Sequence, residues 1–133
     1  MHTMKNYEKV RSYLQELDYC IVAENVTDTL FIVEKPEAGL VNLLVDCSEP
    51  ILVIEQHLFD LPKIDATVLQ KLLMKNREIL HGAFVLDETG RKVIFRDTLQ
   101  LKNLDMNELQ ASINSLELLL SEFGNEIIGF SKQ

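Results

Sequence analysis

Apolar positions along this chain fall into two spacings, one helical and one strand-like. Tyr7, Val10, Leu14 and Leu17 recur at steps of three, four and three, a single stripe that predicts a helix over about residues 6–17 with Asn6 as its cap. The spacing then tightens. Y-C-I-V-A (Tyr19–Ala23), T-L-F-I-V-E (Thr29–Glu34), L-V-N-L-L-V-D (Leu40–Asp46) and I-L-V-I-E-Q-H (Ile51–His57) are rich in strand formers. They are separated by E-N-V-T-D, K-P-E-A-G and S-E-P, segments that suit turns. Strands joined so tightly, with no helix between them, must pair antiparallel, because parallel neighbours need crossovers of a dozen or more residues. The four runs therefore read as a meander.

A helical period returns after Pro62. Asp65 is placed to cap a second helix whose buried face would be Val68, Leu69, Leu72 and Leu73, and the same spacing carries Asn76 and Leu80 to that side. Gly82 ends the excursion. Ala83–Leu86, the turn D-E-T-G and Arg91–Arg96 make a hairpin. Asp105, with Glu108 three positions on, opens a last helix as an acidic capping box. Met106, Leu109, Ile113, Leu116, Leu120, Phe123 and Ile127 form its long seam, with Leu118 and Leu119 off its centre. The expected fold is α+β, a meander with three helices in the order α-β-β-β-β-α-β-β-α, forming a single domain over residues 1–133.

Three segments of the second half carry a resemblance: L-L-M-K-N-R-E (Leu72–Glu78), G-A-F-V-L-D-E-T-G (Gly82–Gly90) and T-L-Q-L-K-N-L-D (Thr98–Asp105). With the element order, they make the chain similar to the type III secretion chaperone-like fold of the Tir-chaperone (CesT) and YbjN-type proteins. That resemblance implies a homodimer that binds other polypeptides without catalysis, its secretion members taking apolar client side chains into pockets on the sheet and first helix. It leaves a second class open, a regulatory or structural protein whose partner is itself or a signalling protein.

Charge and composition narrow the function. The chain has 47% hydrophobic and 26% charged residues, the balance of a soluble globular protein. A formal net charge of −8 argues against gripping nucleic acid, and Lys5, Lys9 and Arg11 are interrupted by Glu8 and Glu16. The first residues hold no apolar signal-peptide core, and no run approaches a membrane span, so the expected location is cytoplasmic. Cys20 and Cys47 read as buried thiols, and no Cys/His spacing suits zinc. There is no G-x-S-x-G, G-x-G-x-x-G or P-loop, so neither a catalytic site nor a cofactor is expected.

Asn76, Arg77 and Glu78 could form a recognition cluster. Helix ends nevertheless need polar partners, and the better reading makes Asn76 a structural cap where the second helix meets the hairpin. A meander leaves sheet edges, and the strands at residues 29–34 and 40–46 are taken as candidate peptide-pairing edges. Leu30, Ile32, Leu43 and Val45 are then candidate partner-binding residues. Leu118 and Leu119, with Met4, are candidates for a dimer interface because they lie off the main stripes.

Overall fold

The structure is a computed structural model that describes residues 2–132, with side chains described over residues 4–132. Helix α1 (His2–Glu16) begins earlier than expected, since nothing in T-M-K-N breaks a helix. Asn6 therefore lies inside it, and its side-chain amide donates to Glu49 rather than capping. Tyr7, Val10 and Leu14 are fully buried along one face. Asp18, at φ 64°, turns the chain so that the Tyr19 N–H reaches the Leu14 carbonyl at 3.0 Å.

Strands β1 (Cys20–Asn25), β2 (Leu30–Lys35), β3 (Leu40–Asp46) and β4 (Ile51–Asp60) form the expected meander. Helix α2 (Ala66–Lys75) follows, then a short 3-10 turn (Asn76–Glu78), β5 (Ala83–Leu86), β6 (Lys92–Gln100) and α3 (Met106–Ser131). All pairs are antiparallel, in the order β1-β2-β3-β4-β6-β5. The hairpin thus joins through its second strand. β6 pairs with β4 from Gln100 opposite Ile51 to Lys92 opposite Asp60, which buries the long strand in the sheet and leaves the four-residue β5 at an edge. Short strands are the ones a sheet can safely leave at its edges.

Both β4 and β6 exceed their expected lengths. β4 continues through a register shift between His57 and Phe59, which conceals the alternation, and β6 runs on through D-T-L-Q.

The inner face of the sheet carries Phe31, Val33, Leu43, Val45, Leu52, Ile54, Val93 and Phe95, all fully buried. From the helices, Tyr7 stacks on Phe31 with ring centroids 4.4 Å apart and planes 8° from parallel. Leu109, Ile113 and Leu116 of α3 are also fully buried, and Phe130 near its end meets Phe59. α3 starts on the expected capping box: the Glu108 N–H donates to Asp105 at 2.8 Å, and the Asp105 N–H donates to Glu108 at 3.2 Å. Asp65 caps α2, accepting from the Thr67 N–H at 2.9 Å.

α2 departs from expectation on one side. Val68 and Leu72 are buried and Leu69 is half-buried, but Leu73 is 69% exposed. The ten-residue helix rests on the sheet along a narrow stripe and leaves the next row of its apolar face open. Cys47 is buried as expected, whereas Cys20, at the start of edge strand β1, is exposed.

Candidate polypeptide-binding surfaces

The topology revises the expected edges. β2 lies between β1 and β3, and β3 lies between β2 and β4, so neither can accept an added strand; the edges are β1 and β5. The candidate partner-binding residues also divide. Side chains alternate across a sheet, which turns Leu43 and Val45 inward to full burial, where no partner can reach them. Leu30 and Ile32 lie on the outer face, half-buried by neighbouring strands.

That outer face is a surface of partly exposed aliphatic groups. Ile32 sits opposite Leu44, Leu44 opposite Glu55, and Glu55 opposite Arg96, to which it is ion-paired at 2.9 Å. In the next row Leu30 faces Asp46, and Asp46 faces Val53. The helix contacts described above all fall on the other face. Half of this sheet is thus closed by helices, and half presents aliphatic rows set among carboxylates.

At the β1 edge, Glu24 is bound by α1. Its carboxylate accepts from the Tyr7 hydroxyl at 2.9 Å and from the Arg11 guanidinium at 2.9 Å, and the guanidinium lies 5.0 Å from the Tyr7 ring centroid. The Arg11 hydrogen bond, then that of Tyr7, holds the Glu24 carboxyl below its usual range. Burial first, with Glu24 second, pushes the Tyr7 hydroxyl up to about 12. This network pins the edge strand to the helix. A shallow groove of about 370 Å³ lies beside it, lined by Arg11, Gln15, Ile21, Val22, Ala23 and Glu24.

The β5 edge is built differently. Asn76 ends α2, its backbone N–H bonded to the Leu72 carbonyl, and its side chain reaches across to Phe84. The Phe84 N–H donates to Asn76 Oδ1 at 2.8 Å, and Asn76 Nδ2 donates to the Phe84 carbonyl at 3.4 Å. The expected role as a structural residue at the joint thus has a specific form: the groups it satisfies belong to the edge strand rather than to the end of the helix. Gly82 makes the approach possible. Its φ is 85°, and any Cβ there would collide with the Phe95 ring. Beside Asn76, an apolar groove of about 340 Å³ runs between Leu69, Leu72 and Leu73 of α2 and Phe84, Val85 and Leu86 of β5.

Further apolar groups stand out around α2: Met74 is 60% exposed, and Leu80, just past the 3-10 turn, is 82% exposed. Leu80 lines a shallow pocket with Leu118 of α3, which is 47% exposed. Leu119 faces the core at 3% exposure, which removes it from the candidate interface; at helical spacing it shares the buried side with Leu116. Met4, 37% exposed, lies on α1.

The displaced pKa values move away from neutrality. Burial, with Asp46 and Glu49 adding to it, pushes the Cys47 thiol up to about 12; burial raises Tyr19; and the Thr89 hydroxyl lowers Asp87 in its turn. None of these shifts prepares an acid or base for work near pH 7. Among the described residues no group of three or more His, Cys, Asp or Glu could hold a metal ion, and no helix is long and apolar enough to cross a membrane.

Comparison with known proteins joins this geometry to a family. The CesT_Tir_1 family matches residues 3–133, almost the whole chain. The chain belongs to the CesT_Tir_1 family. Solved structures share its fold at low sequence identity. YbjN from E. coli is 12% identical, with a TM-score of 0.67 over 90% of this chain and 91% of its own. A chain of the HopA1–SchA chaperone–effector complex is 13% identical, with a TM-score of 0.62 over 98% of each chain. An uncharacterised protein from Methanothermobacter thermautotrophicus is 15% identical, with a TM-score of 0.61 over 95% of this chain and 99% of its own. No curated protein matches the chain in sequence. Within this CesT_Tir_1 member, sequence reasoning missed the Tyr7–Arg11–Glu24 network, because Glu24 lies 17 and 13 positions from its two helix partners and carries no periodic signal. The exposure of Leu73 was masked for the opposite reason, since it fits the helical stripe too well.

Proposed function

We propose that this protein is a non-catalytic, chaperone-like module that binds an extended polypeptide, acts as a homodimer and resides in the cytoplasm. The observation that carries the reading is the uncovered outer face of the sheet, where Leu30, Ile32, Leu44 and Val53 lie in adjacent rows with Asp46 and Glu55 among them. Rows of partly exposed aliphatic groups suit a partner that supplies apolar side chains. The carboxylates, on a chain of net charge −8, favour a partner with basic residues between the apolar ones. Membership of the CesT_Tir_1 family and likeness to a chain of a chaperone–effector complex support the same reading.

The second copy is assigned to the exposed apolar groups of α2, of the segment after it and of α3, namely Leu73, Met74, Leu80 and Leu118. Exposed aliphatic groups on α2, on the segment after it and on α3 are better covered by a second copy than left in water. Affinity capture from native cytosol tests the client reading when the wild type is compared with the Ile32→Thr/Leu44→Thr variant, which keeps a compatible cross-strand pair. A client recovered by the wild type and lost by an equally stable variant supports it. Recovery of the protein alone would transfer the reading to a self-associating protein without a client.

A further inference from the structure

The β5 edge has the form of a guarded site. The Asp87 N–H donates to the Lys92 carbonyl at 3.1 Å, so the backbone of residue 87 faces β6. Alternation along an antiparallel strand then turns Val85 and Ala83 toward β6, and Leu86 and Phe84 outward. An outward-facing backbone is a template for another strand. Phe84 is nevertheless occupied, because Asn76 offers it an acceptor and a donor as one residue of a neighbouring strand would.

Asn76 is itself fixed. Its backbone is tied into the last turn of α2, and Gly82 lets the chain pass beneath Phe95 to bring Phe84 within reach. The guard stands where one is needed. The adjacent groove is apolar, with Leu73 and Leu86 both exposed on its rim, and β5 is a run of Ala, Phe, Val and Leu. An apolar strand with a free edge is the feature that leads sheets of separate molecules to merge.

We propose that Asn76 closes the β5 edge to a β-strand of a second copy of this chain, so that copies meet through side chains and their sheets remain separate. Antiparallel pairing of two β5 strands would be self-complementary about a two-fold axis, and Asn76 removes the Phe84 pairs it would use. The inference stands apart from client binding, because it concerns the β5 edge rather than the outer face of the sheet and needs no partner but the chain itself.

The test is the size of the Asn76→Ala variant across a concentration series, by sedimentation, beside the wild type. The variant is expected to fold and to form species larger than the wild type, increasing with concentration. Adding Leu86→Pro, which removes the outward N–H without touching the β6 ladder, should return it to the wild-type size. A folded Asn76→Ala that matches the wild type at every concentration overturns the proposal, as does larger material that persists with Leu86→Pro. Amide exchange in the unaltered protein gives an independent reading that does not depend on the variant folding. The Phe84 N–H should exchange ~10-fold or more slowly than that of Leu86, the worth of about one hydrogen bond. Equal exchange at the two positions overturns it equally.

Discussion

The two faces of this sheet are made from similar residues and have opposite fates. Phe31, Val33, Leu43 and Val45 point inward and are fully buried beneath α1 and α3, whereas Leu30, Ile32 and Leu44, one step away on the same strands, stay half-buried on a face that packs no helix described above. A strand enclosed on both sides would need no alternation. Here alternation runs through Leu30–Val33 and Leu43–Asp46, yet much of the outer set is aliphatic where a solvated sheet would be polar. The inner face supplies cohesion, and the outer face keeps apolar area in reserve. The polypeptide-binding role proposed above would need both, since binding must not consume the contacts that hold the fold.

The comparison can be broken most severely from inside. Phe95 is fully buried, and its ring packs over Gly82. Phe95→Ala should lower unfolding stability by about 3–5 kcal/mol in chemical denaturation, the cost of a large core cavity. A loss below ~1 kcal/mol would mean that the inner face is not the core.

Alkaline titration is the next largest effect. Tyr7 has its pKa raised from 10.0 to about 12 in the folded protein, chiefly by burial. The folded state holds this proton more tightly than the unfolded one, so the contribution is intact below pH 10 and is lost as pH rises from 10 to 12. The slope is about 1.4 kcal/mol per pH unit. Tyr7→Phe should remove that part of the slope, read as the pH dependence of the denaturation midpoint.

Asn76→Leu should cost about 1–3 kcal/mol, because leucine leaves the Phe84 N–H and carbonyl without their partner. Asn76→Leu with unchanged stability and lost partner capture would instead make Asn76 a binding residue. The smallest effect belongs to the outer face: Ile32→Thr, which keeps a β-branched side chain in the strand, should shift stability by no more than about 1 kcal/mol. A loss as large as that from Phe95→Ala would mean that the two faces do not differ.

Much of the fold was legible because its elements announce themselves locally. The acidic caps Asp65 and Asp105, the exact strand limits Leu40–Asp46 and Ala83–Leu86, and the seam of α3 all depend on residues a few positions apart. Strand neighbours were less legible. A meander assigns sheet position by sequence order, but β4 pairs with β6 because a nine-residue strand fills an interior position better than a four-residue one. That exchange makes β5 rather than β6 the second edge, whereas β2 and β3 are interior in any four-strand meander, so the pairing sites expected there conflict with the meander itself. Burial failed in a related way. Alternation identifies the residues sharing a face without saying which face the helices cover, so Leu30 and Ile32 were grouped with Leu43 and Val45. Leu118 and Leu119 were grouped likewise, although one is exposed and the other buried. For Asn76 the residue and its place could be read, while its partner Phe84 required the hairpin to fold back.

The most direct measurement places a photo-reactive side chain at Ile32 in one preparation and at Leu118 in another, then cross-links both in native cytosol. We expect position 32 to capture a polypeptide of another kind and position 118 to capture a second copy of this chain. Capture of only a second copy from position 32, or of a client from position 118 alone, would contradict the division of labour between the outer sheet face and the α2 side.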